Sequence, residues 1–264
     1  MSLTLLEIAI TAGVGLAAGV LGGLLGIGGS IILIPAMVLI FPGRGADAQH
    51  LFQAAAMAVN VAVSLPAAIR HARAGAVRRD LLTWLLPTGL TAILIGVWLS
   101  NQLNGLTLRR IFAGFLLYLA IQTIVSVSRK HPDHTEAEAR VTPVRAGAVG
   151  VVLGSAAGLL GIGGGILAVP LGQALCKIPL RQAIAASSAT MCMTAGVGAA
   201  VKIWSLPMHH QAPADALTLA LALAPTAMVG SWLGASLTHR TPVQTMRAAL
   251  AILLLLAAWR MSGL

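Results

Sequence analysis

Carboxylates are scarce in this chain. Seven Asp and Glu stand against 17 Lys and Arg among 264 residues, and charged residues of both signs make up only 9%. A soluble domain carries about a quarter charged residues, so this composition cannot clothe a globule in water and most of the surface must face lipid. No apolar segment holds an acid near its middle. Carriers of cations place acids there, which argues for an anionic or neutral substrate and against nickel or cobalt uptake. Cysteine is nearly absent too, and Cys176 and Cys192 lie in or beside apolar runs, which leaves no disulfide framework and no CxxC zinc site. The opening MSLTLLEIAI has no cation before its apolar run and reads as a retained membrane segment rather than a signal peptide. Catalysis lacks its parts as well: no carboxylate pair, HExxH motif or Ser/His/Asp set occurs at matched depth, so an enzyme is not expected. Neither the HPDH stretch at 131–134 nor His209–His210 has a spaced third ligand, so neither a metal nor another cofactor is expected.

What is present is apolar, 58% of the residues, gathered in ten segments. They fall at about 4–22, 27–41, 51–69, 81–101, 108–127, 144–160, 162–176, 182–202, 215–238 and 243–261. Most approach the ~20 residues that cross a bilayer as a helix. Segments 27–41 and 162–176 have 15 residues each, roughly 22 Å of helix, and are too short to span straight.

Those two pieces belong to a repeat. Residues 15–35 match 150–170 at a constant offset of 135, with 11 of 21 positions identical and GLLGIGG shared at 23–29 and 158–164. Gly96-Val97-Trp98-Leu99 echoes Gly230-Ser231-Trp232-Leu233, so the likeness runs through both halves. Five segments per half is an odd number, so the second half enters the membrane from the opposite side. The expected fold is an all-α polytopic membrane protein of two inverted repeats, 1–127 and 144–264, joined by a linker at 128–143. Gaps after odd-numbered segments, together with the opening residues of the segments that follow them, hold 12 of the 17 Lys and Arg. The positive-inside rule then places that side and the linker in the cytoplasm and both termini outside, in a bacterial inner membrane. The cations are spread over short gaps, so a nucleic-acid partner is not expected.

Between a long and a short segment in each half lie GIGGS at 26–30 and GIGGG at 161–165. Successive glycines at a helix start expose backbone N–H groups where the dipole favours an anion. Candidate site residues are therefore Gly26, Gly28, Gly29 and Ser30 in the first half and Gly161, Gly163, Gly164 and Gly165 in the second. Asn60, Ser187 and Ser188 are the candidate side-chain donors. The competing readings are tight turns for the glycines and helix-to-helix hydrogen bonds for the side chains. Gly15, Gly19 and Gly23, repeated as Gly150, Gly154 and Gly158, have the four-residue spacing of a helix contact face and read as packing. Neither glycine run completes G-x-G-x-x-G, which excludes a dinucleotide fingerprint.

The motifs GGLLGIGGSIILIP at 22–35 and AGLLGIGGGILAVP at 157–170, with NVAVSLPAAIRHARAG at 60–75, resemble the sulfite exporter TauE/SafE family, also called toluene sulfonate uptake permeases. The resemblance covers nearly the whole chain. It implies transport of a small sulfur-containing or organic anion such as sulfite or a sulfonate, with H+ or Na+ as a compatible coupling ion and the lipid bilayer and the anion as partners. One departure stands out: the Ser or Thr pair that family members often carry early in the third segment of a half is Ser187-Ser188 in the second half but falls among Ala54-Ala55-Ala56-Met57-Ala58 in the first. The reading is a secondary transporter working by alternating access, with a passive anion channel as the first alternative and a membrane-embedded enzyme as the second.

Overall fold

The computed structural model describes residues 4–25, 28–128, 134–237 and 243–262. Among them the regular structure is helical, with ten α-helices: α1 Leu5–Leu25, α2 Ser30–Ile40, α3 Ala48–Arg73, α4 Arg79–Asn101, α5 Gly105–Ser128, α6 Pro143–Leu160, α7 Gly165–Cys176, α8 Leu180–Ser205, α9 Pro213–Leu237 and α10 Val243–Ser262. Seven helices among the described residues are long and apolar enough to cross a membrane. The two short segments become α2 and α7, of 11 and 12 residues. At 1.5 Å per residue they reach roughly 17 Å, about half a bilayer core. The helix runs through Pro35, Pro66, Pro87, Pro170 and Pro225 without a break.

Local chemistry sets several boundaries. Pro143 occupies the first turn of α6, where its missing N–H costs nothing, and the Thr142 hydroxyl accepts from the Arg145 N–H at 3.3 Å. The same helix stops at Gly161, whose φ of 76° ends it in the left-handed region.

The long helices pair across the halves. α1 lies along α9 and α4 along α6, while α3 crosses α8 at the centre and α5 packs on α10. A shift of every helix by five exchanges the pair α1 and α9 with the pair α6 and α4 and returns the pairs α3 with α8 and α5 with α10 to themselves. Glycines make the two long pairings close. A Cβ at Gly19 would strike the Ala227 carbonyl and one at Gly23 the Ser231 carbonyl. Its counterparts at Gly154 and Gly158 would strike the carbonyls of Gly89 and Ile93. The predicted packing role of the glycine stripe is thereby observed. In both pairs the contacts advance in the same direction, so α1 runs parallel to α9 and α6 to α4. Contacts between α3 and α8 run the other way, from His50 with Lys202 to Met57 with Gly198 and Val61 with Gly196.

Burial follows this arrangement. Residues 48–57 of α3 are all buried. The outer helices expose apolar side chains instead, among them Trp98 and Trp232, the two tryptophans related by the repeat. Such a coat is the surface that a hydrocarbon solvent requires.

Candidate functional site

The two glycine turns meet where α3 crosses α8. Gly28 has φ 78° and Gly163 and Gly164 have 71° and 86°, a region that only glycine enters at little cost. Asn60, wholly buried on α3, lies between the turns. Its Oδ1 accepts from the Gly29 N–H at 2.9 Å, and its Nδ2 donates to the Ser30 hydroxyl at 2.5 Å and to the Ile162 carbonyl at 3.1 Å. One amide thus ties the first turn to the second. Both amide hydrogens are committed to protein, one to the Ser30 side chain and one to the Ile162 backbone. Its neighbour across the gap is Met191 of α8: a Cβ at Gly28 would lie 2.8 Å from the Met191 sulfur, and one at Gly163 3.3 Å from its Cγ and 2.8 Å from Asn60 Nδ2.

On the α8 side, Thr194 Oγ1 donates to the Gly163 carbonyl and Ser187 Oγ to the Gly165 carbonyl, both at 2.9 Å. These bonds orient the start of α7, whose first-turn N–H groups have no acceptor within the helix.

A cavity of about 540 Å³ opens beside this crossing, within the size range of small-molecule sites. Gly22, Gly23, Ser64, Ser188, Met191, Ser231 and Trp232 line it, and Arg70, His71 and Arg181 stand among its lining residues. Arg70 and Arg181 are exposed. The described lining holds no acid. Gly22 and Met191 connect cavity and turns, since a Cβ at Gly22 would meet the Gly28 carbonyl carbon at 2.9 Å. Near this end Arg78 donates to Asp80 at 3.0 Å, a bond that raises the guanidinium pKa above its ordinary value.

Not every candidate gathers at the crossing. Gly28, Gly29, Ser30, Asn60 and Gly163 do. Ser188 is on the cavity wall, with its hydroxyl donating to the Ile184 carbonyl at 3.0 Å. Gly161 packs on Gln53, and Gly164 on Leu153. Gly26 lies outside the described residues, as do residues 129–133 of the linker.

The far end of the crossing holds a group that its sequence position conceals. Lys202 closes the eighth apolar segment in the sequence, but α8 continues to Ser205, and the lysine is completely buried. Its Nζ donates to His50 Nδ1 at 2.9 Å, Ser100 Oγ at 2.7 Å and Asn101 Oδ1 at 2.9 Å. The directions follow from the ends of the network. The Leu103 carbonyl, 3.1 Å from His50 Nε2, can only accept, so Nε2 carries the proton and Nδ1 accepts. Likewise Gln53 Nε2 donates to the Leu159 carbonyl at 3.3 Å, which leaves Gln53 Oε1 to accept from Ser100, also at 3.3 Å, and a Ser100 lone pair to accept from the lysine. Three acceptors therefore meet the three N–H bonds of an ammonium, with no carboxylate in the network. His209 stacks on His50 with ring centres 3.5 Å apart. Only the isolation of one Lys in an apolar run could have flagged this in the sequence; its partners come from two other helices.

Comparison with known proteins agrees with this architecture. The chain is 29% identical over 257 residues to "Probable membrane transporter protein" of Haemophilus influenzae, covering 94% of this chain and 95% of the relative. It is 24% identical over 265 residues to "Probable membrane transporter protein YunE" of Bacillus subtilis, with 92% of each covered. A third relative is "Probable membrane transporter protein MamO" of Magnetospirillum gryphiswaldense, 28% identical over 270 residues. That match takes in 89% of this chain but only 42% of the relative, so the chain spans less than half of its length. No solved structure matches. The family model of sulfite exporter TauE/SafE matches residues 11–261. With that match over nearly its whole length, and with helices built to cross a bilayer, the chain belongs to the sulfite exporter TauE/SafE family of membrane transporters.

Proposed function

We propose that this protein is a secondary transporter of a small sulfur-containing or organic anion, which binds where the N-terminal turns of α2 and α7 converge. The observation that carries this reading is the Asn60 clamp, which holds a turn from each half together beside an open cavity whose described lining has two arginines and no acid. Backbone N–H groups and helix dipoles bind an anion there without a buried cationic side chain. Exposed Arg70 and Arg181 raise its local concentration.

In this reading the halves are inverted repeats, 1–127 and 144–264. The exchange of helix pairings, the parallel course of α1 with α9 and α4 with α6, and the antiparallel crossing of α3 and α8 all support it. Alternating access is rocking of one repeat against the other. Exposed Arg70 and Arg181 stand at one end of the cavity, while the far end of the crossing is filled by the buried Lys202 network, an asymmetry that favours a carrier over an open channel. The Arg70 end and the linker face the cytoplasm of a bacterial inner membrane, and both termini face outward. An H+ or Na+ gradient is compatible with this scheme as the driving force. The test is uptake of radiolabelled sulfite or a sulfonate into proteoliposomes: saturable flux that unlabelled anion competes supports the reading, and flux linear in concentration overturns it.

A further inference from the structure

We propose that the chain carries a second oxyanion site at the opposite end of the bundle from the large cavity, between the start of α3, the start of α5 and the end of α10. A separate cavity of about 300 Å³ lies there, lined by Gln49, Arg109 and Arg260 and by apolar residues including Phe41 and Phe52. Gln49 is only 2% exposed, yet neither its Nε2 nor its Oε1 has a partner among the described residues. Arg109 Nε is buried and likewise unpartnered, while its Nη2 donates to the Arg260 carbonyl at 3.2 Å. Buried polar atoms are normally satisfied, so a primary amide with both ends unserved, facing a cavity, marks a place where a ligand supplies the missing bonds.

The chemistry of that ligand follows from the lining. Two guanidinium groups and no acid among the described lining residues select a negative charge. Gln49 sits in the first turn of the 26-residue α3, where the helix dipole adds to the same preference. A tetrahedral oxyanion fits: its oxygens accept from Gln49 Nε2 and Arg109 Nε, and where the anion is hydrogenphosphate its remaining O–H donates to Gln49 Oε1. Free phosphate, sulfate and the phosphate of a lipid headgroup all present the accepting oxygens, and the cavity has room for a phosphate-sized group. The site is independent of the crossing and of the transport reading.

The test uses the intact chain purified in detergent. Inorganic phosphate and sulfate are titrated calorimetrically, and phosphatidylglycerol retention is counted by native mass spectrometry. Each is measured for the parent, for Arg109→Gln, Arg260→Gln and Gln49→Leu, and for Arg70→Gln as the control for the large cavity. Arg260 is exposed, so its variant folds whatever the fate of the buried ones. The expected result is at least a tenfold loss of affinity in Arg109→Gln and Arg260→Gln, for the free anion if that is the occupant, or of retained phosphatidylglycerol if a headgroup is. Binding removed by Arg70→Gln belongs to the large cavity and is counted apart. Unchanged affinity for both anions and unchanged lipid retention in all three variants would overturn the second site.

Discussion

Lys202 Nζ lies 2.9 Å from His50 Nδ1, a bond between residues 152 apart that joins the last turn of α8 to the first turn of α3. The imidazole proton is held on the other nitrogen by the Leu103 carbonyl, so the lysine donates. Burying an ammonium without a counterion is costly. Its full set of three acceptors offsets part of that cost and makes the closed end specific about which side chains meet.

That network predicts coupling. Lys202→Met leaves three acceptors without a donor and is expected to lower stability by about 1–3 kcal/mol. Ser100→Ala alone should cost less, and the double variant should cost less than the sum by about 1 kcal/mol, because the two share one bond. Thermal unfolding of the four proteins in detergent measures this; strict additivity would contradict the network.

Helix packing makes a sharper contrast within α1. Gly19 meets the Ala227 carbonyl, whereas a Cβ at Gly13 would meet nothing within 4 Å. Gly19→Val should lose most of the folded yield, and Gly13→Ala should fold as the parent or slightly better, since Ala favours a helix by roughly 1 kcal/mol over Gly. Monodisperse yield on gel filtration decides. Equal yields for Gly19→Val and Gly13→Ala would remove the packing role.

The cavity arginines predict a salt effect. Arg70→Gln and Arg181→Gln should each raise the KM for anion uptake several-fold at low ionic strength and flatten its salt dependence, because exposed charges steer over about a Debye length, roughly 10 Å at 0.1 M. Unchanged KM in both variants would place anion entry elsewhere.

Sidedness is tested by labelling. In a Cys176→Ala, Cys192→Ala background, a cysteine replacing Gly75 between α3 and α4 should resist an impermeant maleimide in intact cells. A cysteine replacing Gly43 between α2 and α3 should react. The opposite pattern would invert the topology.

Much of this was legible in the sequence. Segment lengths anticipate the ten helices among the described residues because hydropathy and helix length are local. The glycine stripe identifies its packing role because a four-residue spacing needs only one helix. What stays hidden depends on tertiary partners: Lys202 looks like an ordinary helix-end cation until His50, Ser100 and Asn101 surround it. Asn60 looks like an available donor until the Ile162 carbonyl, 102 residues away, takes one of its hydrogens.

The central claim, anion binding at the joined turns, is tested most directly at Gly163. An Ala there needs a left-handed φ of 71°, which costs roughly 1–2 kcal/mol, and its Cβ would stand 2.8 Å from Asn60 Nδ2, pushing the clamp off the turn. The measurement is initial uptake of radiolabelled sulfite and of a sulfonate by parent and Gly163→Ala proteoliposomes, matched for monodisperse protein. The account predicts saturable uptake in the parent and at least a tenfold loss of kcat/KM in the variant. Parent-level uptake by Gly163→Ala would contradict it.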